Sequence, residues 1–479
     1  MKIFLLPLLF FLLGCIVGGI WSWAGIFLLV CFVLIVFLYP SFRFRSWSML
    51  LLFVGYCLSY FSLLYLELER DRLGESVAWW AFTQSVSGVA DDLISTSEFT
   101  HRYRVTISEI AEKPVTPFDV ALILPPNLAL IPGDTFYAIG KFSFPHDTRD
   151  YNAEKQLWYR GMVAEFRSFQ IEKESPEHYS VFVRMRSWFD RQLSLIFPPR
   201  GYDILSGIIL GQKNSFDTTF RDQLKASGLM HIMVVSGSNV MMLIIFLSLF
   251  LRWLFPWIRI LIISTVILWF VFLVGWDAPV WRAALMGILW YSASLWWYRV
   301  WSLVLPLFVA ALLAVINPLA LVYDIGLQLS FFSVICIIVF GKSLTRFFHF
   351  LWYFFDEAMA LTVAATLGTL PLTLFYFGTF SLVWPLANLL AAPAVPILMY
   401  SGIATLVASA FSPALAVVLG YIPWFAVTYL ERVITSFGSQ RWSLITLDMS
   451  TSREEFMIVS LTILVVCIIR FSYLVKSRH

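Results

Sequence analysis

Charge is scarce in this sequence. Asp, Glu, Lys and Arg make up 13% of its 479 residues, about half the roughly 25% of a soluble domain, which excludes a chain whose whole surface faces water. Cysteine is scarcer still. All five (Cys15, Cys31, Cys57, Cys336, Cys467) lie in apolar runs, so no disulfide framework is expected in the polar part of the chain, and the thiols read as small hydrophobes. The six histidines (His101, His146, His178, His231, His349, His479) are scattered. They fit no recognised zinc spacing, so neither a metal site nor a zinc-hydrolase site is expected. Nothing resembles a Gly-rich phosphate loop, so no cofactor is expected and any transport draws on an external motor or an ion gradient.

What is abundant is apolar: 60% of the residues. About 20 such residues in a row cross a bilayer core. Runs of this kind lie near 3–20, 23–39 and 47–66, and again near 229–251, 258–275, 280–298, 300–316, 325–341, 358–378, 386–410, 414–435 and 456–475. The reading is about 12 spans. Leu12-Leu13-Gly14-Cys15 resembles a lipoprotein cleavage site, but a cleaved signal is followed by a polar mature chain, and here the apolar run continues. Cytoplasmic loops are rich in Lys and Arg. With the N-terminus inside, ten basic residues fall on inner connections and four (Arg282, Arg432, Arg441, Arg453) on short outer ones. That orientation puts both termini in the cytoplasm. Proline around Pro371, Pro385, Pro393 and Pro396 marks the places for a broken helix.

Between the two groups of spans lies a polar stretch that the same orientation places outside. Residues 67–199 carry 14 Lys+Arg against 19 Asp+Glu, a net of −5, which leaves the rest of the chain at +8. Here the period changes from helical to alternating. Tyr103, Val105 and Ile107 share one face, as in a half-buried strand. Short strands are also expected at 120–124, 135–144 and 163–171, with a turn at Pro132-Gly133-Asp134. The fold class expected is a polytopic α-helical membrane protein with a small inserted extracytoplasmic β-barrel, OB-like in kind. Its parts are 1–66 (three spans), 67–177 (barrel), 178–228 (amphipathic helices on the outer membrane surface or packed on the bundle) and 229–479 (nine spans).

Several motifs then occur in order. Ile204-Leu-Ser-Gly-Ile-Ile-Leu-Gly-Gln-Lys213 is followed by Gly228-Leu-Met-His231 and Ser236-Gly237, and then by Arg282-Ala-Ala284. Asn317-Pro318 and Asp324-Ile-Gly-Leu-Gln-Leu-Ser330 come next, and after them Thr369–Gly378 and Ala387–Pro396. In the polar stretch stand Pro132-Gly-Asp134, Tyr151-Asn152, Trp158 and Arg160-Gly161. This series resembles the ComEC family of DNA-uptake channels across residues 100–400. Two positions depart from it: Ser238-Asn239 stand where many members have Leu-His, and Leu327 replaces a Phe. The metallo-β-lactamase-like nuclease domain of many members has no counterpart in these residues.

The resemblance implies passage of single-stranded DNA through the bacterial inner membrane during natural transformation. It also implies a periplasmic DNA receptor, a cytoplasmic helicase or motor and a separate nuclease as partners; a homo-oligomer is compatible with it. A polyanion needs polar lining, cations for phosphate and rings for bases. Candidates for the path are His231, Ser236, Ser238, Asn239, Asp277, Arg282, Asp324 and Gln328. Side chains of this kind also bond neighbouring helices or sit at an interface, where a charge is cheap. Trp276, Trp281, Trp290, Trp296, Trp297 and Trp301 suit base stacking, but interfacial aromatic belts explain most of them. In the barrel, Arg102, Arg104, Arg160 and Arg167 are candidate DNA contacts, against a domain whose net charge is wrong for an electrostatic funnel. Two other readings stay open. One is a transporter or flippase for another anionic polymer or lipid; the other is a membrane enzyme with His231 and Asp324 as acid and base, for which no nucleophile–base spacing can be argued. The chain is therefore not expected to be an enzyme.

Overall fold

The computed structural model describes residues 83–96, 100–143, 159–176, 179–212, 216–233, 235–275, 278–295, 304–349, 353–440 and 442–446, with Leu157 and scattered positions between 12 and 68. The spans expected at 3–20, 23–39 and 456–475 lie wholly or largely outside these residues, and that at 47–66 is half outside them. In chain order the strands and first helices are β1 (Gln84–Thr96), β2 (His101–Ile110), β3 (Lys113–Leu124), β4 (Thr135–Ser143), β5 (Met162–Glu174), α1 (Val181–Ile196), α2 (Pro199–Leu210) and α3 (Thr218–Ser227). A 3-10 turn (Met230–Met233) leads to α4 (Gly237–Phe250), α5 (Pro256–Val274), α6 (Ala278–Leu295), α7 (Val304–Ile316) and α8 (Ala320–Tyr323). The remainder is α9 (Ile325–Phe347), α10 (Tyr353–Phe377), β6 (Thr379–Ser381), α11 (Trp384–Ala391), α12 (Ala394–Phe411), α13 (Pro413–Gly438) and β7 (Leu444–Thr446). Two compact units divide the chain: one comprises Met1–Ser95, Thr100–Glu177 and Tyr298–Gln328, the other Thr96–Phe99, His178–Trp297 and Leu329–His479.

In the first unit the five strands close into a barrel in the order β1-β2-β3-β5-β4. The pairs β1–β4, β2–β3 and β4–β5 are antiparallel, whereas β3 and β5 run parallel with Leu122 opposite Phe166. The expected inward face of β2 is the barrel core: Tyr103, Val105 and Ile107 are at most 4% exposed and pack with Val120, Leu122, Phe136 and Phe166. The expected turn forms as well. Asp134 is fully buried and its carboxylate accepts the Ile131 N–H at 2.8 Å, which fixes the entry into β4. Sequence reading misses β1, because Gly88 and the Asp91-Asp92 pair interrupt its apolar alternation. The barrel loop before β5 seats on the α7–α8 connection. There Asn317 Nδ2 donates to the Tyr159 carbonyl at 2.6 Å, and Tyr159 packs on Leu319 and Tyr323.

The second unit is helical. Among the described residues of the chain, five stretches are long and apolar enough to cross a membrane: Pro256–Val274, Ile325–Phe347, Asp356–Phe377, Trp384–Phe411 and Pro413–Gly438; α4 is apolar but shorter, as is α7 of the first unit. The stretch 384–411 holds two helices, because Pro393 has no N–H to continue α11. The Tyr429 hydroxyl donates to the Leu390 carbonyl there at 2.9 Å, so the break leaves that carbonyl satisfied. Pro371, by contrast, sits inside an uninterrupted α10. Helix α2 is more deeply placed than a surface helix. Ile204, Leu205, Ile208, Ile209 and Leu210 are at most 3% exposed and join one core with Leu398 and Leu406 of α12 and Leu430 of α13. The described residues thus form a membrane protein that carries a small barrel.

Candidate functional site

The run 229–251 is not one helix. His231 lies on the 3-10 turn, exposed, with Nδ1 3.1 Å from the Gly228 carbonyl, and α4 begins only at Gly237. Two glycines of α2 allow the chain to cross at this break. A Cβ on Gly207 would stand 2.7 Å from the Met233 carbonyl oxygen. Gly211 ends α2 in the left-handed region (φ +65°), and a Cβ there would meet Val274 Cγ1 at 2.6 Å. The spacing is that of a small-residue packing motif, but its two glycines meet different partners, the 3-10 turn at Met233 and the end of α5 at Val274.

Ending α2 at Gly211 leaves late carbonyls without intrahelical donors. Asn239, 1% exposed in the first turn of α4, donates from Nδ2 to the Ile208 carbonyl at 3.1 Å. Its Oδ1 accepts from Ser236 Oγ at 3.2 Å, and Ser236 Oγ lies 2.6 Å from Ser238 Oγ. A helix C-terminus and a helix N-terminus therefore meet through one side chain inside the bundle. Helix α6 lines the same point: a Cβ on Gly237 would be 3.5 Å from the Ala283 Cβ, and the preceding Arg282 is 3% exposed. Ser236, Ser238, Asn239 and Arg282 thus gather at the first turns of α4 and α6, and His231 lies on the turn before them. Asp277 lies outside the described residues.

Asp324 and Gln328 belong to the first unit and have local duties. Asp324 Oδ1 accepts the Leu327 N–H at 3.0 Å, a helix cap for α9, and Gln328 Nε2 donates to the Val322 carbonyl at 2.6 Å. Both side chains fasten the α8–α9 corner. Of the tryptophans, Trp281 packs edge-on against Phe272 at 5.8 Å; Trp276, Trp296, Trp297 and Trp301 are outside the described residues.

The barrel arginines stand on its outer face, in part neutralised. Arg102 pairs with Glu165 at 3.2 Å, and Arg104 binds Asp119 through both Nε (2.9 Å) and Nη2. Arg160 donates to its neighbour Tyr159 at 2.8 Å, and Gly161 brings that loop beside Arg104. Arg167 lies level with Arg102 across β3, since both register with Ile123.

Two polar clusters escape sequence reasoning. Arg200 binds Asp217 at 3.1 Å and Glu431 at 2.7 Å, tying the starts of α2 and α3 to α13. The Asp190 carboxylate on α1 accepts from Tyr202 at 2.6 Å and from Gln212 at 2.7 Å. Their partners lie far apart in sequence, so no local spacing announces them. Among the described residues no group of three His, Cys, Asp or Glu could hold a metal.

Neither the curated proteins nor the solved structures include a match to this chain. A family model, that of the competence protein, matches residues 208–472, more than half of the sequence, and takes in the α2–α4 break, Arg282 and the Asp324–Gln328 corner. On that match the chain belongs to the ComEC-type competence protein family, whose role is in DNA uptake.

Proposed function

We propose that the chain forms the inner-membrane channel through which single-stranded DNA reaches the cytoplasm in natural transformation. The observation that carries this is the break before α4, where Ser236, Ser238 and the first turn of α4 lie against the first turn of α6 at Ala283, the turn that also carries the buried Arg282. A helix N-terminus attracts anions and a guanidinium binds phosphate. Irregular backbone at membrane depth is tolerated where it is covered by protein or lines a polar cavity. A phosphate chain drawn past this point meets donors without needing a dedicated ion.

About 12 spans hold the bundle, both termini are cytoplasmic, and the barrel is extracytoplasmic. Its five strands with one parallel pair support an OB-type domain. A periplasmic receptor presents DNA, a separate nuclease removes one strand, and a cytoplasmic helicase or an ion gradient supplies the pull. The channel is not itself an enzyme.

The test is uptake of labelled duplex DNA in a strain that lacks the gene, scored separately for periplasm and cytosol. DNase-resistant DNA that never reaches the cytosol supports the inner-membrane step. Normal arrival in the cytosol discards it and turns attention to accumulated lipid or polymer intermediates. In the complemented strain Arg282→Ala lowers cytosolic arrival at unchanged abundance; no change would remove Arg282 from the path.

A further inference from the structure

The β4–β5 ribbon of the barrel carries residues that the reading above does not use. Its register slips at one point: Ile139 faces Gln170, but Gly140 faces Ser168. Phe169 is the extra residue of a β-bulge, a device that re-aims a side chain. Gly140 permits it, because a side chain there would run into the Arg167 carbonyl. The bulge turns Phe169 out to 64% exposure, the most exposed large hydrophobic of the barrel strands. Tyr137 on the same ribbon is 38% exposed, and Lys141 sits directly opposite Arg167. Neither Lys141 nor Arg167 makes an ion pair among the described residues, whereas Glu165 beside them is drawn to Arg102.

Two rings and two cations on one ribbon, all facing outward, match what single strands require: flat faces for bases, which stack without regard to sequence, and positive groups for the backbone. Aromatic and basic residues also suit a bilayer surface. Glu172, opposite Tyr137, and Glu174, opposite Thr135, stand at the aromatic end of the ribbon and oppose its contact with anionic lipid. They leave the Lys141–Arg167 end as the phosphate side. The net −5 of the surrounding polar stretch then limits binding to this ribbon.

We propose that Tyr137, Lys141, Arg167 and Phe169 form a stacking-and-phosphate platform for single-stranded DNA on the outer face of the barrel. The proposal rests on the uptake reading above and locates where the barrel touches the strand.

The experiment uses the full-length protein in nanodiscs of neutral lipid and a fluorescent oligo-dT, with binding read by anisotropy. Phe169→Ala, Phe169→Leu and Tyr137→Ala each weaken binding roughly tenfold, the Leu variant because a branched chain gives no ring to stack on. Lys141→Gln with Arg167→Gln flattens the dependence of log affinity on log salt by about 1.4, two phosphates' worth for a single strand. Melting temperatures stay at the wild-type value, since all four side chains point to solvent. If wild type binds oligo-dT and the ring variants bind equally well, the platform is wrong while the uptake reading stands. If wild type binds no oligo-dT and the gene deletion still passes DNA to the cytosol, the uptake reading itself has failed and the platform with it. A nitroxide at Phe169→Cys that is shielded by lipid before any oligonucleotide is added would seat this face on the membrane, which also overturns the platform.

Discussion

Asp203 stands half-buried in the second turn of α2, and burial lifts its carboxyl to about 6 against the pull of Arg200. A raised folded value means that the folded state holds the proton more tightly than the unfolded chain. The stabilisation is complete below the ordinary carboxylate range and is lost as pH rises through about 6. Asp203→Asn removes this titration. Melting of the solubilised protein should fall between roughly pH 4 and pH 6 in wild type and run flatter in the variant over that window. Asn239→Leu tests another kind of residue. It strands the buried Ile208 carbonyl and should cost about 1–3 kcal/mol, read as a lower melting temperature with DNA uptake falling in step with abundance. If uptake falls at unchanged abundance, Asn239 has a role beyond holding α2 to α4. At this scale the sequence made the residue types legible and their duties less so. Asn239, Asp324 and Gln328 stand out as polar residues among apolar ones. Each is engaged with backbone, and the partner of Asn239 lies 31 residues away, beyond what helical spacing reveals.

Among the elements, the β2–β3 turn departs from its usual chemistry. Ala111 (φ +49°) and Glu112 (φ +62°) both occupy the left-handed region between the paired Ile110 and Lys113. A two-residue turn with both angles positive favours Asn-Gly, because other residues strain there. Ala111→Asn with Glu112→Gly should stabilise the barrel by about 1 kcal/mol, measurable as a higher melting temperature at unchanged DNA uptake. Gly211→Ala works in the other direction. It meets Val274 and a left-handed angle together, and about 1–3 kcal/mol of destabilisation is expected. Periodicity recovered β2 and most of β4 and β5, because their inner and outer faces alternate cleanly. It failed at β1, where Gly88 and two aspartates break the pattern, and at the start of α4. There the apolar run 229–251 continues across a backbone break that hydrophobicity cannot register.

For the whole molecule, composition alone separated a charged, alternating stretch from an apolar one, and the structure divides into a barrel-bearing unit and a helical one. The tie between the barrel and its helical seat was not legible, since it runs from Asn317 to a carbonyl 158 residues earlier. Asn317→Asp keeps the shape but removes the donor. It should lower DNA uptake several-fold at unchanged abundance, with Asn317→Gln restoring part of it; equal loss of uptake and abundance would reduce Asn317 to a folding residue.

That tie also has a consequence for how the chain is made. Synthesis delivers Tyr159 long before Asn317, Leu319 and Tyr323 exist. The barrel strands are therefore complete while the helices that will seat them are still unmade, and a barrel that closes in that interval waits for a perch that follows about 8–30 seconds later at roughly 5–20 residues per second. A barrel that closes slowly would miss that arrival and leave the α7–α8 corner to fold around nothing.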